Sequence, residues 1–253
     1  MIGAIGVFDS GIGGLSVLKS LRTLMPEQDY IYLADSGYAP YGERDADYVI
    51  NRSKICLEAL LDKGCSMIVI ACNTATALAG RALRETHPAL LIVGIEPAIK
   101  PAAALTGNGN VGVLATQGTL SSAKFLALVD AVQAANPHIH IHTYAPDGLA
   151  LAIETQDAAQ IETLSRSACK AMQSANCDTV VLGCTHYPLI MDSLQDKLDK
   201  GCKLVDPAGA VALRAQSLLS ENSQPTGTRG HLQLISTGDA ALLEAAAASF
   251  ISP

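Results

Sequence analysis

The sequence predicts an α/β protein of two pseudo-symmetric three-layer domains with mostly parallel sheets, and three observations carry that expectation. Of its 253 residues 49% are hydrophobic but only 4% aromatic, the usage of aliphatic helices packed on buried parallel strands rather than of a β-sandwich. Short apolar runs break repeatedly into polar or glycine-rich turns and then into helical periodicity. Finally, KGCSMIVIACNTAT at 63–76 and ANCDTVVLGCTHYP at 175–188 align without gaps, pairing Cys65 with Cys177 and Cys72 with Cys184. That spacing exceeds any solenoid repeat and marks a duplicated domain.

The elements follow in order. Residues 2–8 (IGAIGVF) read as a strand, DSGIGG as a turn, and Leu15, Leu18 and Leu21 as one face of a helix. YIYLAD at 30–35 is a second strand, and the Gly-, Pro- and Tyr-rich SGYAPYGERD a loop at the sheet's edge. A helix from about Asp47 to Lys63 leads through Gly64 into the strand MIVIA, which stops at Cys72-Asn73-Thr74 where another helix begins. LLIVGI is a further strand, and a helix follows Pro97.

The order then restarts in NVGVLATQGTLSSAKFLALV, where Gly112-Val113 matches Gly6-Val7 and Thr116 falls near Ser10. After Cys184 come a helix around Leu189 to Leu198, the strand KLVD and a helix from Pro207. The strand HLQLIST and the Ala-rich C-terminal helix have no counterpart, so they are expected to complete the first half. The domains are then 1–97 plus 207–253, carrying Cys72, and 98–206, carrying Cys184.

A net charge of -7 without a basic run leaves no source for phosphate neutralisation or attraction to anionic lipid, so neither nucleic acid nor membrane is an expected partner. MIGAIGVFDSG has no charged leader, and its apolar stretch ends at Asp9, which fits neither a signal peptide nor a membrane span and points to the cytoplasm. Seven cysteines without a C-x-x-C pair describe free thiols in a reducing compartment.

Cys72 and Cys184 each stand at the carboxyl end of a buried strand, where open α/β sheets bind ligands. A helix N-terminus there would hold a substrate carboxylate and lower a thiol's pKa. If the halves face each other across a pseudo-two-fold axis, so do these cysteines. That arrangement suits inversion of a carbon acid, with one thiolate removing a proton from one face and the other thiol supplying one to the opposite face. Asn73, Thr74 and Thr185 can donate hydrogen bonds where charge develops.

The glycines of DSGIGG would let backbone approach a small substrate, with Ser10 touching it and Asp9 accepting a hydrogen bond near Cys72. His186 could orient or activate Cys184. A competing reading makes DSGIGGLS a dinucleotide turn, with Gly11, Gly13 and Ser16 in the fingerprint and Asp35 in the ribose-binding place. HIHIH at 138–142 puts three imidazoles on one strand face, read as a solvated face rather than a metal tripod. Cys56, Cys65, Cys169, Cys177 and Cys202 read as packing.

Taken together, FDSGIGGLSV, PYG at 40–42, ACNTA at 71–75, IEP at 95–97, LATQGT at 114–119 and GCTHYPL at 183–189 resemble the glutamate racemase family over nearly the whole chain. The resemblance implies interconversion of L- and D-glutamate in the cleft between the domains, without pyridoxal phosphate or metal, to supply D-glutamate for peptidoglycan. It implies a homodimer as well. By similarity Cys72 would deprotonate the D enantiomer and Cys184 the L enantiomer, with Asp9 assisting the first thiol and Glu154 and His186 the second. Substrate binding would fall to Asp9, Ser10, Tyr41, Gly42, Asn73, Thr74, Thr116, Thr119, Thr185 and His186. A racemase for aspartate or another acidic amino acid is the alternative on the same scaffold. SGYAPYG departs from the Thr-Ala-Arg-like lead into PYG of many relatives. The chain begins almost at the first strand, so activation by a cell-wall precursor, which in some relatives accompanies an N-terminal extension, is not expected.

Overall fold

A parallel strand covered on both faces must be apolar throughout. The first strand, β1 (Ile5–Asp9), is apolar up to its last residue, Asp9, and every residue in it is buried. In the computed structural model, which describes residues 3–219 and 229–251, it lies at the centre of a five-stranded sheet. Ile2 of the expected first strand, and residues 1, 220–228 and 252–253 of the expected first domain, lie outside the described residues.

The chain continues through α1 (Leu15–Leu24), β2 (Tyr30–Ala34), α2 (Ala46–Leu61), β3 (Met67–Ile70), α3 (Asn73–Leu78), α4 (Gly80–Thr86), β4 (Leu91–Gly94) and α5 (Ile99–Leu105). It then passes through β5 (Asn110–Leu114), α6 (Gln117–Leu120), α7 (Ala123–Ala135), β6 (His140–Tyr144), α8 (Leu149–Glu154), α9 (Ala158–Ser174) and β7 (Thr179–Leu182). A 3₁₀ turn (Tyr187–Ile190) leads to α10 (Met191–Lys197), β8 (Lys203–Val205), α11 (Ala208–Leu219), β9 (Leu232–Ser236) and α12 (Ala240–Ile251).

The strand order is β4-β3-β1-β2-β9 in one sheet and β6-β5-β7-β8 in the other, and every strand pairing among the described residues is parallel. Each sheet is sandwiched. Ile5 and Val7 face a core shared with Leu18 of α1, Val211 of α11 and Leu243 of α12, while Phe8 faces another shared with Leu57 of α2 and Leu83 of α4. In the second sheet Leu114 packs towards Ile153 of α8 and Met172 of α9, and Val111 and Val113 towards Ile99 of α5 and Phe125 of α7.

The repeat is visible in detail. β3 and β7 fall on matching residues of the two aligned segments. The turns before them hold Gly64 at φ +82 and Asn176 at φ 52, the left-handed backbone that glycine and asparagine accept most readily. Cys65 Sγ lies beside Gly6, and Cys177 Sγ beside Gly112, so these thiols fill matching space under the two central strands.

Three local expectations are corrected. α2 starts at Ala46 because the Asp45 side chain accepts a hydrogen bond from the Tyr48 N–H, and it ends at Leu61 rather than Lys63. The helix expected from Leu189 is preceded by the 3₁₀ turn and starts at Met191. His138 precedes β6, so only His140 and His142 share its face, and His142 Nε2 pairs with Asn110 Oδ1 at 3.0 Å.

In both sheets the strand order reverses at the central pair, which opens a crevice at the carboxyl ends of those strands. Ser10 and Cys72 follow β1 and β3 there; Thr116 and Cys184 follow β5 and β7.

Candidate active site

Cys72 caps α3, its Sγ accepting from the Ala75 N–H at 3.5 Å and standing 3.8 Å from Ser10 Oγ. Cys184 ends β7 and places Sγ 3.8 Å from His186 Nδ1. Cys72 and Cys184 line a single small cavity. From the first half come Ser10, Tyr41, Gly42, Asn73 and Thr74, and from the second Thr116, Glu154, Thr185 and His186.

Two expected residues stand one layer back. Asp9 is fully buried and accepts from Ser10 Oγ at 3.0 Å, the Gly11 N–H at 3.0 Å and Thr185 Oγ1 at 2.7 Å. Thr119 is also fully buried, with its hydroxyl 3.1 Å from Thr116 Oγ1 and 3.4 Å from Thr74 Oγ1. Tyr41 lines the cavity too, and its hydroxyl donates to Asp35 Oδ2 at 2.5 Å. The Asn73 amide, buried at its nitrogen and oxygen alike, has no intramolecular partner among the described residues, so it is free to bind a ligand.

Each thiol has its own escort of titratable groups. Glu154 Oε2 receives His186 Nε2 at 2.8 Å and the Ile12 N–H at 2.8 Å, and Oε1 receives Ser36 Oγ at 2.6 Å. Burial opposes protonation of His186, but its contacts with Cys184 and Glu154 more than offset this and hold its pKa well above the ordinary imidazole value. Burial raises the Glu154 carboxyl, and the bonds from His186, Ser36 and Ile12 outweigh it to leave the pKa low. An imidazolium–carboxylate pair therefore stands behind Cys184.

Cys72 differs from the expectation that a helix N-terminus would lower its pKa. Complete burial, and then the neighbouring Asp9, push its thiol up to about 12, and the Ala75 N–H offsets only part of that. Asp9 is itself raised by burial, against the pull of His186 and its hydrogen bonds. The cavity lining contains no lysine or arginine among the described residues, which leaves O–H and N–H donors and the His186 imidazolium to meet an anion.

The glycine turn explains itself in the same contacts. A side chain at Gly11 would land on the Glu154 carboxylate, and a Cβ at Gly13 would come within 2.5 Å of His186 Nδ1. These glycines admit the side chains of Glu154 and His186 from the other half, not a pyrophosphate. Asp35, placed in the ribose position by the dinucleotide reading, is fully buried and bound by Arg52 and Tyr41. The sequence reading missed Ser36, which held no signal beyond its membership of a polar loop.

The family model for Asp/Glu/Hydantoin racemase matches residues 5–215. The chain is 46% identical over 220 residues to a glutamate racemase of Ectopseudomonas mendocina, covering 86% of this chain and 82% of that one. It is 42% identical over 238 residues to a glutamate racemase of Stutzerimonas stutzeri, covering 93% and 85%. Among solved structures, glutamate racemase isoform RacE1 from Bacillus anthracis superposes with a TM-score of 0.85 at 27% identity, covering 99% of this chain and 94% of that one. The Francisella tularensis glutamate racemase in complex with D-glutamate gives 0.82 at 29% identity, covering 99% and 94%. That of Escherichia coli, in complex with L-glutamate and the activator UDP-MurNAc-ala, gives 0.79 at 31%, covering 96% and 93%. With the paired strands, the two cysteines of one cavity and these matches in agreement, the chain belongs to the Asp/Glu/hydantoin racemase family.

Proposed function

We propose that the protein interconverts L- and D-glutamate by exchange of the α-proton between two thiols, Cys184 on one side of the substrate and Cys72 on the other. The observation that carries this reading is that two buried sulfurs, at the ends of matched strands in different sheets, line one cavity. The names of the relatives supply the choice of glutamate.

Starting from L-glutamate, the Cys184 thiolate takes the α-proton, forming its S–H bond as the Cα–H bond breaks. The electron pair left on Cα delocalises into the substrate carboxylate, where the Asn73 amide and the Thr74 hydroxyl can meet the added charge. The Cys72 thiol then gives its proton to the opposite face. D-Glutamate leaves a Cys72 thiolate and a Cys184 thiol, and the reverse reaction starts from that state. Glu154 keeps His186 charged and aimed at Cys184, and Asp9 with Ser10 serves Cys72 in the same supporting role.

In this reading 1–97 plus 207–253 and 98–206 are the two domains that enclose the substrate, and Tyr41, Gly42, Thr116 and Thr119 shape its binding site. The protein works as a cytoplasmic homodimer and supplies D-glutamate for peptidoglycan. No helix among the described residues is long and apolar enough to cross a membrane.

Incubation with L-glutamate in heavy water tests the reaction: optical rotation is lost while deuterium enters Cα. A folded sample that does neither rules the reading out. Faster conversion of L-aspartate in a parallel panel would move the substrate to the shorter acid.

A further inference from the structure

The loop between β2 and α2 reaches the cavity at Ala39, Pro40, Tyr41 and Gly42, yet its own sequence gives it little reason to hold one shape. What holds it is a carboxylate outside the cavity. Asp35 Oδ2 accepts from Tyr41 Oη at 2.5 Å and from Arg52 Nε at 2.9 Å; Oδ1 accepts from Arg52 Nη2 at 2.7 Å and from Thr237 Oγ1 at 2.9 Å. All of these donors converge on one fully buried side chain. The Asp35 N–H in turn donates to the Asp9 carbonyl at 2.9 Å, which ties the cluster to the strand that ends beside Cys72.

The clamp continues along the loop. The Arg52 guanidinium lies 3.4 Å from the centroid of the Tyr38 ring, the Tyr38 carbonyl accepts from Tyr48 Oη at 3.1 Å, and Thr237 Oγ1 accepts from the Gly37 N–H at 3.1 Å. At its far end the Gly42 carbonyl accepts from the Gly118 N–H across the cleft at 3.0 Å. A Cβ on Gly42 would come within 2.7 Å of the Thr116 side chain, so the loop meets the second half with no slack. The Gly42 N–H itself makes no hydrogen bond among the described residues.

Resting on the racemase reading above, we propose that Asp35 and Arg52, completed by Thr237, are positioning residues that set substrate affinity by holding the Tyr41–Gly42 backbone at the cavity. A bidentate guanidinium fixes the carboxylate's plane, and the carboxylate fixes the Tyr41 hydroxyl. The loop's backbone N–H groups are then presented to the substrate already ordered, so no binding energy is spent on ordering them. Among the described residues none of the three side chains bonds to Cys72 or Cys184, the nearby thiol being that of Cys56, and so the chemical step is left alone. Thr237 lies beyond residues 5–215, so part of the clamp comes from outside the span matched by the family model.

The test compares steady-state racemisation from each enantiomer in the full-length enzyme for Arg52→Gln, Arg52→Lys and Thr237→Val. Arg52→Gln should raise KM for both enantiomers about tenfold, and Thr237→Val about threefold, with kcat within about twofold and its pH profile unmoved. Arg52→Lys, which keeps the charge without the fork, should recover only part of the loss. Thr237→Val removes a single hydroxyl and so keeps the test open if Arg52→Gln does not fold. Folded variants with wild-type KM, or with kcat reduced and KM unchanged, overturn the positioning role while leaving racemisation intact. A wild-type enzyme inactive on glutamate removes the functional reading and this inference together.

Discussion

One carboxylate oxygen, Glu154 Oε2, accepts both the His186 imidazole at 2.8 Å and the backbone N–H of Ile12 at 2.8 Å. His186 stands beside Cys184, whereas Ile12 belongs to the turn after β1, the strand paired with the β3 that leads to Cys72. One atom therefore both charges the imidazole and joins the two halves, alongside the Thr185–Asp9 and Gly118–Gly42 bonds.

Glu154→Gln should separate these duties. The amide oxygen can still accept from Ile12, but a neutral side chain holds an imidazolium far less well. kcat should fall by about a hundredfold, more from L-glutamate than from D-glutamate, because the imidazolium stands behind Cys184. Racemisation has an equilibrium constant of one, which forces kcat/KM to fall equally in both directions, so the asymmetry must be read in kcat by polarimetry. Equal kcat losses from the two enantiomers would show that the pair does not serve Cys184 specifically.

Gly13→Ala probes the same junction from the opposite side. Its methyl group would meet His186 Nδ1 at 2.5 Å and the His186 backbone nitrogen at 2.8 Å, and neither can yield without opening the cleft. The variant should keep its secondary structure by circular dichroism and lose at least about tenfold in kcat/KM. Wild-type activity would mean that the cleft has slack the contacts do not reveal.

How much of this was legible depends on which physical cause sets each residue. The ends of β3 and β7 could be read from the aligned segments, because an apolar run that meets Cys-Asn-Thr or Cys-Thr-His has to leave the sheet there. The raised Cys72 pKa could not: the local signal, a thiol at a helix N-terminus, points down, and only the three-dimensional burial beside Asp9 reverses it. For Asp35 the sequence offered only the competing dinucleotide reading, for a related reason. A carboxylate at the end of a second strand fits a ribose site by position, and its actual donors, Arg52 and Thr237, come from distant stretches of chain. Similarly, the glycines of DSGIGG announced a close approach but could not say that Glu154 and His186 make it.

The buried pair also predicts a dependence of stability on pH. His186 has a folded-state pKa raised above its ordinary 6.5, so its contribution is complete below about that pH and is lost as pH rises through the folded value. Glu154 is lowered from 4.5, so its contribution is complete above about that pH and is lost as pH falls through the folded value. The Tm difference between wild type and His186→Asn should be greatest between about pH 4.5 and 6.5 and shrink on the alkaline side. A difference that stays constant from pH 5 to pH 10 by differential scanning fluorimetry would mean that folding leaves the His186 pKa at its ordinary value.

The two thiols sit in different halves with different partners, which makes each separable from the other. In Cys72→Ala the second acid is gone, so two-way racemisation should fall by about a thousandfold or more. Cys184 keeps His186 and Glu154, however, and it can still remove and return the α-proton of L-glutamate on its own face. In heavy water this variant should therefore place deuterium at Cα of L-glutamate while the optical rotation holds, and leave D-glutamate unexchanged. Cys184→Ala should do the reverse, exchanging D-glutamate alone. Proton magnetic resonance of the α-position, run beside polarimetry, reads both quantities in one tube. Inversion at wild-type rate in either variant, or exchange of the same enantiomer in both, would show that the sulfurs do not act from opposite faces.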